Sequence, residues 1–257
     1  MEELGRALCI ITGASRGFGR TIAKEVSRVV KPGSVFVLVA RSGDDLRALQ
    51  KEMAESDLVV RVVVADLSSM EAVENVTRTA KEAFQEDIQH VILFNNAGCL
   101  GDVSRYSSSF TSMAEVNAYL SFNVSSALCL TANVLQAFPK QPGLRRCVVN
   151  ISSLCALKPF PSWVLYCTGK AARDMMFKVL AEENPDLRVL NYAPGPLDTD
   201  MQLVIRTQTA EVTIRQTFAD MSAQGQLLTC EASCAKLIKL LQEDKYKSGD
   251  HIDVYDV

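Results

Sequence analysis

Three side chains between Ser152 and Lys170 have the types and spacing of a proton-handling unit: Ser153, Tyr166 and Lys170. Tyr166 and Lys170 stand at i and i+4, so on a helix they share one face. A free tyrosine, with a pKa of about 10, is a poor acid near neutrality. An ammonium a few ångströms away favours the phenolate and moves that pKa toward the working pH. Ser153 lies 13 residues before Tyr166 and adds a hydroxyl to the set. By itself a tyrosine four residues before a lysine is more often a half-buried ring and a solvated ammonium on an amphipathic helix. The elements around the pair must decide.

Those elements alternate along the whole chain. Apolar runs predict strands at 7–11, 34–40, 59–67, 90–98, 147–153, 187–195 and 251–255. Helical spacing covers 17–30, 43–55, 69–86, 112–138, 163–183 and 231–243, while 196–226 is less regular. The strands are continuously apolar rather than alternating, the mark of strands buried on both faces of a parallel sheet. The expected fold is α/β: one domain over 1–257, built on a single Rossmann-type doubly wound parallel sheet of about seven strands with helices on both faces. Ligands of such sheets bind at the carboxyl ends of strands, and Ser153 stands at one of them. The 196–226 segment, with Met201, Leu203, Val204, Ile205 and Phe218, reads as a substrate lid. Leu154, Cys155, Trp163 and Tyr192 could line the pocket or equally belong to the core.

After the first strand comes Thr12-Gly13-Ala14-Ser15-Arg16-Gly17-Phe18-Gly19. Glycines here permit a tight turn and close approach of the backbone to a pyrophosphate, with the next helix aiming its amides at the anion. The second strand ends in Arg41-Ser42, where NAD-binding chains usually carry an acid for the ribose 2′-hydroxyl. Arg41 with Arg16 instead suits a 2′-phosphate, so NADP(H) is the expected cofactor. The alternative is two solvated arginines. Asp66, next to Leu67 after the third strand, suits the adenine amino group or an ordinary helix cap.

Totals exclude several classes. The net charge of −3 comes without a basic stripe, which argues against nucleic acid or an anionic membrane as partner. No apolar run is expected to reach bilayer-spanning length, and MEELGRALCIITG does not read as a secretory leader. Eight cysteines without a CxxC pair read as reduced thiols in the cytosol, and two histidines leave no multi-histidine metal site.

Taken together, TGxxxGxG at 12–19, NNAG at 95–98, Asn123, Ser153, YxxxK at 166–170 and Pro194-Gly195 followed by Thr199 resemble the short-chain dehydrogenase/reductase family over nearly the whole chain. The resemblance implies carbonyl reduction by NADPH, with Ser153, Tyr166, Lys170 and Asn123 catalytic. It implies cofactor contacts from Gly13 through Gly19, Arg41, Ser42, Asp66, Leu67, Asn95, Ala97, Gly98, Tyr166, Lys170 and Pro194, continuing through Leu197, Asp198, Thr199, Asp200, Met201 and Gln202. Asn123 would hold a water that links Lys170 to solvent. TGASRGFGR at 12–20, NISSLCALKPF at 150–160, YCTGKAARDM at 166–175 and NYAPGPLDTDM at 191–201 are similar to members of the family that reduce pterin side chains. That closer likeness implies a cytosolic homodimer, joined through helices 112–138 and 163–183. It implies a pterin substrate held by Ser153, Leu154, Tyr166, Gly195 and Asp253, with Asp256 as the competing carboxylate. A broader carbonyl reductase and a non-catalytic NADPH sensor are the rival readings.

Overall fold

The computed structural model describes residues 4–54 and 57–257; residue 55, at the end of the expected helix 43–55, lies outside them. The apolar runs form seven parallel strands in one sheet. They are β1 (Ala7–Thr12), β2 (Val35–Ala40), β3 (Val59–Val64), β4 (His90–Asn95), β5 (Arg145–Ile151), β6 (Arg188–Ala193) and β7 (His251–Asp253). Their spatial order is β3-β2-β1-β4-β5-β6-β7. The order reverses between β1 and β4, and this switch point opens the ligand crevice of a doubly wound sheet. β1 is buried throughout its length, whereas β3 is partly buried and exposes Arg61 and Val64. β3 is one of the two edge strands, so the expectation of continuous burial fails there.

Helices cover both faces. On one face, α1 (Gly17–Val26), α2 (Gly43–Met53) and α9 (Cys230–Glu243) lay Ile22, Val26, Leu46, Leu49 and Leu237 on the sheet. On the other, α3 (Met70–Ala83), α5 (Ser126–Ala137) and α6 (Val164–Glu183) contribute Val73, Val76, Leu130, Val134 and Phe177. α4 (Met113–Leu120) leads into α5 through a π-helical turn, Ser121–Ser125. The joined helix Met113–Ala137 has 25 residues and is, by length and composition alone, long and apolar enough to cross a membrane. This corrects the expectation that no run reaches that length. Its second half packs on the sheet, burying Ala127, Leu130, Thr131 and Val134.

The 196–226 segment is more regular than expected. It holds α7 (Asp200–Gln208) and α8 (Val212–Ala223). Their apolar residues, Met201, Val204, Ile205, Ile214 and Phe218, gather in one cluster with Leu100, Val103, Cys155 and Trp163. Threonines and glutamines between them mask the helical period in the sequence. β7 stops at Asp253, and Val254–Asp256 turns as a short 3₁₀ segment.

Beneath the strand ends runs a buried polar layer centred on α6. Arg173 Nε donates to Asn150 Oδ1 (2.8 Å), Nη1 to the Ala97 carbonyl (2.9 Å) and Nη2 to the Asn95 carbonyl. Burial pushes the guanidinium down to about 10, so it stays charged at neutral pH. Asp174 accepts from Ser152 Oγ (2.5 Å), Asn150 Nδ2 (3.2 Å) and His251 Nδ1 (2.5 Å). Asn150 also donates to Asn191 Oδ1 (2.8 Å), and Asn191 to the Gly249 carbonyl (3.1 Å). The layer thus stitches β4, β5, β6 and β7 to one helix. Arg173→Leu strands several buried acceptors and leaves Asp174 without its adjacent charge. It is expected to cost at least about 3 kcal/mol in urea unfolding; a loss under 1 kcal/mol, on the same scale, would show that the layer is not structural.

Candidate active site

The glycine loop is shaped by steric need. Gly13 and Gly17 have positive φ (68° and 53°), conformations that favour glycine. A side chain on Gly13 would meet Asn96 Nδ2 at 2.8 Å, and one on Gly19 would strike the Gly13 carbonyl. The start of α1 makes no side-chain cap hydrogen bond at Arg16 and has no acid in its first turn. Its first amides are therefore offered to an anion. Ala14 is buried, its amide donating to the Val39 carbonyl (3.1 Å), and Ser15 is half-buried. Phe18 is core: it is buried and stacks on Tyr192 (6.4 Å), so its side chain does not face the crevice.

Asn96 braces this loop, donating to the Thr12 carbonyl (2.8 Å) and the Gly13 carbonyl (3.3 Å). The Asn95 side chain is buried and donates to Thr131 Oγ1 (2.9 Å), so it holds the turn rather than facing a ligand. The amide of Ala97 donates to Thr12 Oγ1 (2.9 Å), and Gly98 lies against Asn123. At the end of β2, Arg41 and Ser42 are exposed; Arg41 stands over the Phe122 ring at 5.9 Å. Arg16 is exposed and pairs with Asp200 (2.8 Å) at the start of α7. Asp66 accepts from the backbone (3.0 Å) and hydroxyl (2.8 Å) of Ser68, bonds that hold its carboxyl below the usual range. The cap of α3 is Ser69, not Asp66. Leu67 is buried.

Ser153, Tyr166 and Lys170 come together at the end of β5. The Ser153 hydroxyl stands near enough to the Tyr166 phenol to favour the phenolate, and it accepts from the Cys155 amide (3.2 Å). Lys170 is buried; its Nζ donates to the Ile151 carbonyl (2.6 Å) and lies 5.5 Å from the centre of the Tyr166 ring. One expectation is corrected. Burial pushes the Tyr166 phenol up, helped by the Cys155 thiol, while the Ser153 hydroxyl and Arg173 act the other way. Lys170 is itself pushed down to about 7, first by burial and then by Arg173. In this environment desolvation outweighs the lysine's attraction for the phenolate.

Asn123 is buried within the π-helical turn. Its Oδ1 accepts from the Cys99 amide (2.8 Å), while Nδ2 donates to the Tyr119 carbonyl (3.0 Å) and Cys99 Sγ (3.2 Å). The side-chain amide is thereby committed, so any water on Asn123 belongs to its backbone carbonyl, which faces Arg173 Nη1 at 3.5 Å.

The opposite wall is built from β6 onward. Gly195 has φ 77°, and a side chain there would meet Val254 Cγ1 at 2.8 Å and Leu228 Cδ1 at 2.9 Å. Pro194 is half-buried, with its carbonyl accepting from Ser233 Oγ (2.9 Å). Leu197 bridges to Leu228, Asp198 is exposed, and Thr199 opens α7. Met201 joins the apolar cluster. Gln202 is buried, with Oε1 taken by Arg206 (2.5 Å) and Nε2 without a partner among the described residues. Trp163 links α8 to Tyr166: it stacks on Phe218 (5.6 Å) and Phe160 (5.2 Å) and meets Tyr166 edge-on (6.0 Å). Leu154 is partly exposed beside Ser153, whereas Tyr192 is fully buried, bonds the Ser233 carbonyl (2.8 Å) and belongs to the core. Asp253 is half-buried at the end of β7, its Oδ1 accepting from the Tyr255 amide (3.1 Å). Asp256 is exposed and accepts from the Asp253 amide (3.2 Å), acting as a brace for Asp253.

This arrangement has close counterparts. The family model described as short chain dehydrogenase matches residues 7–210. The chain belongs to the short chain dehydrogenase family. It is 52% identical over 255 residues to the sepiapterin reductase of Xenopus laevis, covering 98% of this chain and 97% of that one. It is 49% identical over 256 residues to the sepiapterin reductase of Bos taurus, covering 98% and 96%. Among solved structures, the KRED1-Pglu enzyme is similar with a TM-score of 0.81 at 28% identity, covering 96% of this chain and 100% of the other.

Within this short chain dehydrogenase the sequence reading missed Asn96, Arg173, Asp174 and His251 as supports. Arg173 and Asp174 signal themselves only as charges in the interior of a helix whose face also carries Lys170. The buried lysine has a measurable signature. Between about 7 and its ordinary 10.5, the unfolded chain binds a proton that the folded chain does not. The contribution of Lys170 to stability therefore rises with pH across that window. The stability advantage of Lys170→Met over the native chain should shrink between pH 7 and pH 10 in urea unfolding; parallel curves would contradict it.

Proposed function

We propose that this short chain dehydrogenase uses NADPH to reduce the side-chain carbonyl of a pterin, sepiapterin or 6-pyruvoyl-tetrahydropterin, in the final steps of tetrahydrobiopterin synthesis. One observation carries the reading: Ser153 and Tyr166, backed by Lys170, stand together beyond the end of one strand, and a half-buried carboxylate, Asp253, ends the next strand but one. Two strand spacings are about 10 Å, a span that suits a bicyclic ring with a short side chain. Sequence likeness to sepiapterin reductases supports the same substrate.

The chain fits the cofactor. The loop Gly13–Gly19 leaves no room for side chains at Gly13 and Gly19, and α1 begins with uncapped amides. Gln202 Nε2 is a buried donor in need of an acceptor. These groups would hold the pyrophosphate and carboxamide ends, together with Ala14, Ser15, Pro194, Leu197, Thr199 and Met201. Arg41 and Ser42, with Arg16 once released from Asp200, would take the 2′-phosphate, and Asp66 the adenine amino group. NADPH supplies the hydride when bound.

The chain's own residues supply the rest. Ser153 donates a hydrogen bond to the carbonyl oxygen and stabilises the charge that develops on it. Tyr166, kept protonated by burial, gives that oxygen its proton. Lys170, poised near 7, returns a proton to Tyr166. Asn123 serves through its backbone carbonyl, where a water can join Lys170 to solvent. Asp253 accepts paired N–H donors from the amino-pyrimidinone edge and fixes the ring. α7 and α8 form the lid, 196–226, of a single domain, and Trp163 couples the lid to Tyr166. Exposed Met113, Leu128, Met175 and Val179 on α4, α5 and α6 offer an apolar face that supports a homodimer. Eight free thiols suit a reducing cytosol.

Two experiments test this reading. NADPH oxidation is followed with sepiapterin and with butane-2,3-dione. Tyr166→Phe should lower turnover on both by at least about a hundredfold while NADPH still binds. Asp253→Ala should raise the pterin KM far more than the diketone KM, and an equal effect would favour a general carbonyl reductase. In cofactor titrations, Arg41→Asp should weaken NADPH binding by at least about tenfold more than NADH binding; equal weakening would overturn the assignment of NADPH.

A further inference from the structure

The His251–Asp174 pair belongs to no group assigned above to cofactor, acid or substrate. Its side chains are only 8% and 4% exposed, and Nδ1 lies 2.5 Å from Oδ2. We propose that His251 is a positioning residue that sets where Asp253 stands relative to Ser153. The proposal rests on the reading of Asp253 as the pterin anchor.

β7 is a three-residue edge strand, in register with β6 at Asn191↔His251, Tyr192↔Ile252 and Ala193↔Asp253, and the backbone bonds next to it come from the residues before it, Gly249 and Asp250. So short a ladder fixes register poorly, and a slip of one residue would turn every side chain to the other face. Side chains at i and i+2 of a strand share a face, so His251 and Asp253 point the same way. His251 reaches Asp174 on α6, the helix that also carries Tyr166 and Lys170. Holding His251 on α6 therefore holds Asp253 toward the side of the proton donor.

The second arm makes this a measured separation rather than a simple tether. Asp174 Oδ2 takes His251, while Oδ1 takes Ser152 Oγ at 2.5 Å. Ser152 precedes Ser153, and its amide donates to the Tyr192 carbonyl (2.7 Å). One carboxylate thus spans from the strand of the oxyanion donor to the strand of the anchor. Buried charge-assisted bonds of this kind are short and directional. A buried polar pair is a weak source of stability compared with apolar packing, and fixing one arrangement is among its attested uses. Ile252, between the two residues, is half-buried and packs on the opposite face, against the core, so it does not itself set the distance to Ser153.

The test compares sepiapterin with butane-2,3-dione, which has no amino-pyrimidinone edge. His251→Leu should raise the pterin KM by about tenfold or more, the size of a lost hydrogen bond to a charged group, with kcat within about twofold. Its kcat/KM on the diketone should stay within about twofold. His251→Asn, whose amide can sit where Nδ1 does, should recover most of the pterin KM. His251→Gln, polar but one methylene longer, should not, and this pair carries the test if His251→Leu fails to fold. A merely structural pair would lower both substrates together in step with thermal stability, and that result overturns the proposal, as does an unmoved pterin KM. Asp253→Ala is run alongside. If it is selective for the pterin and the His251 variants are not, only the positioning role fails. If it is not selective, the anchor reading fails and takes this role with it.

Discussion

Adjacent opposite charges, Arg173 and Asp174, sit buried one residue apart on α6 and hold the working end of the sheet together. Arg173 faces β4 and the turn after it; Asp174 faces β5 and β7. Parallel strands end in carbonyls and amides that the sheet itself no longer pairs. In this chain those ends are also where a ligand must bind, so they cannot be covered by apolar packing. A charged pair with many hydrogen bonds satisfies them from below and leaves the upper surface free. Each group of the layer is affordable only because the others are present.

Above that layer, burial decides the protonation of the reacting groups. Desolvation acts on Tyr166 and Lys170 in opposite senses and drives both toward their neutral forms. A phenol that keeps its proton is the right form for an acid awaiting an oxyanion. A lysine balanced near 7 can both accept and release a proton at little cost. The Ser153 hydroxyl opposes burial at the phenol, so the serine moderates the upward shift of Tyr166. The cluster formed with α7 and α8 adds to the same effect, since Trp163 sets its apolar surface directly against the Tyr166 ring.

Much of this was legible in the sequence, and the gaps have physical reasons. Unbroken apolar runs marked the strands because both faces of a parallel sheet are covered; β3 departed from the pattern because an edge strand has one exposed side. Spacing put Tyr166 and Lys170 on one helix, since i and i+4 geometry is local, and the fold brings Ser153 near them. Asn123 was located, but its side chain proved committed to Cys99 and Tyr119, which no spacing could reveal. The direction of the Tyr166 shift was missed because charge is visible in a sequence and desolvation is not. Asn95 and Phe18 sit in ligand-binding motifs yet serve the interior. The support formed by Arg173, Asp174 and His251 joins positions far apart in the chain, so it emerges only once the fold has brought them together.

The π-helical turn at Ser121–Ser125 carries a further consequence. A π turn holds one residue more than the α turn it replaces, and each α-helical residue advances about 100° around the axis. Removing a single residue there would yield a straighter, more regular helix. It would also rotate α5 by roughly a quarter turn relative to α4. Leu130 and Val134 would leave the sheet, and Asn123 could no longer meet both Cys99 and Arg173. The irregularity behaves like a spacer cut to length: a shortening that improves local geometry would dismantle the layers on either side of it, so this stretch should tolerate exchange of residues far better than loss of one.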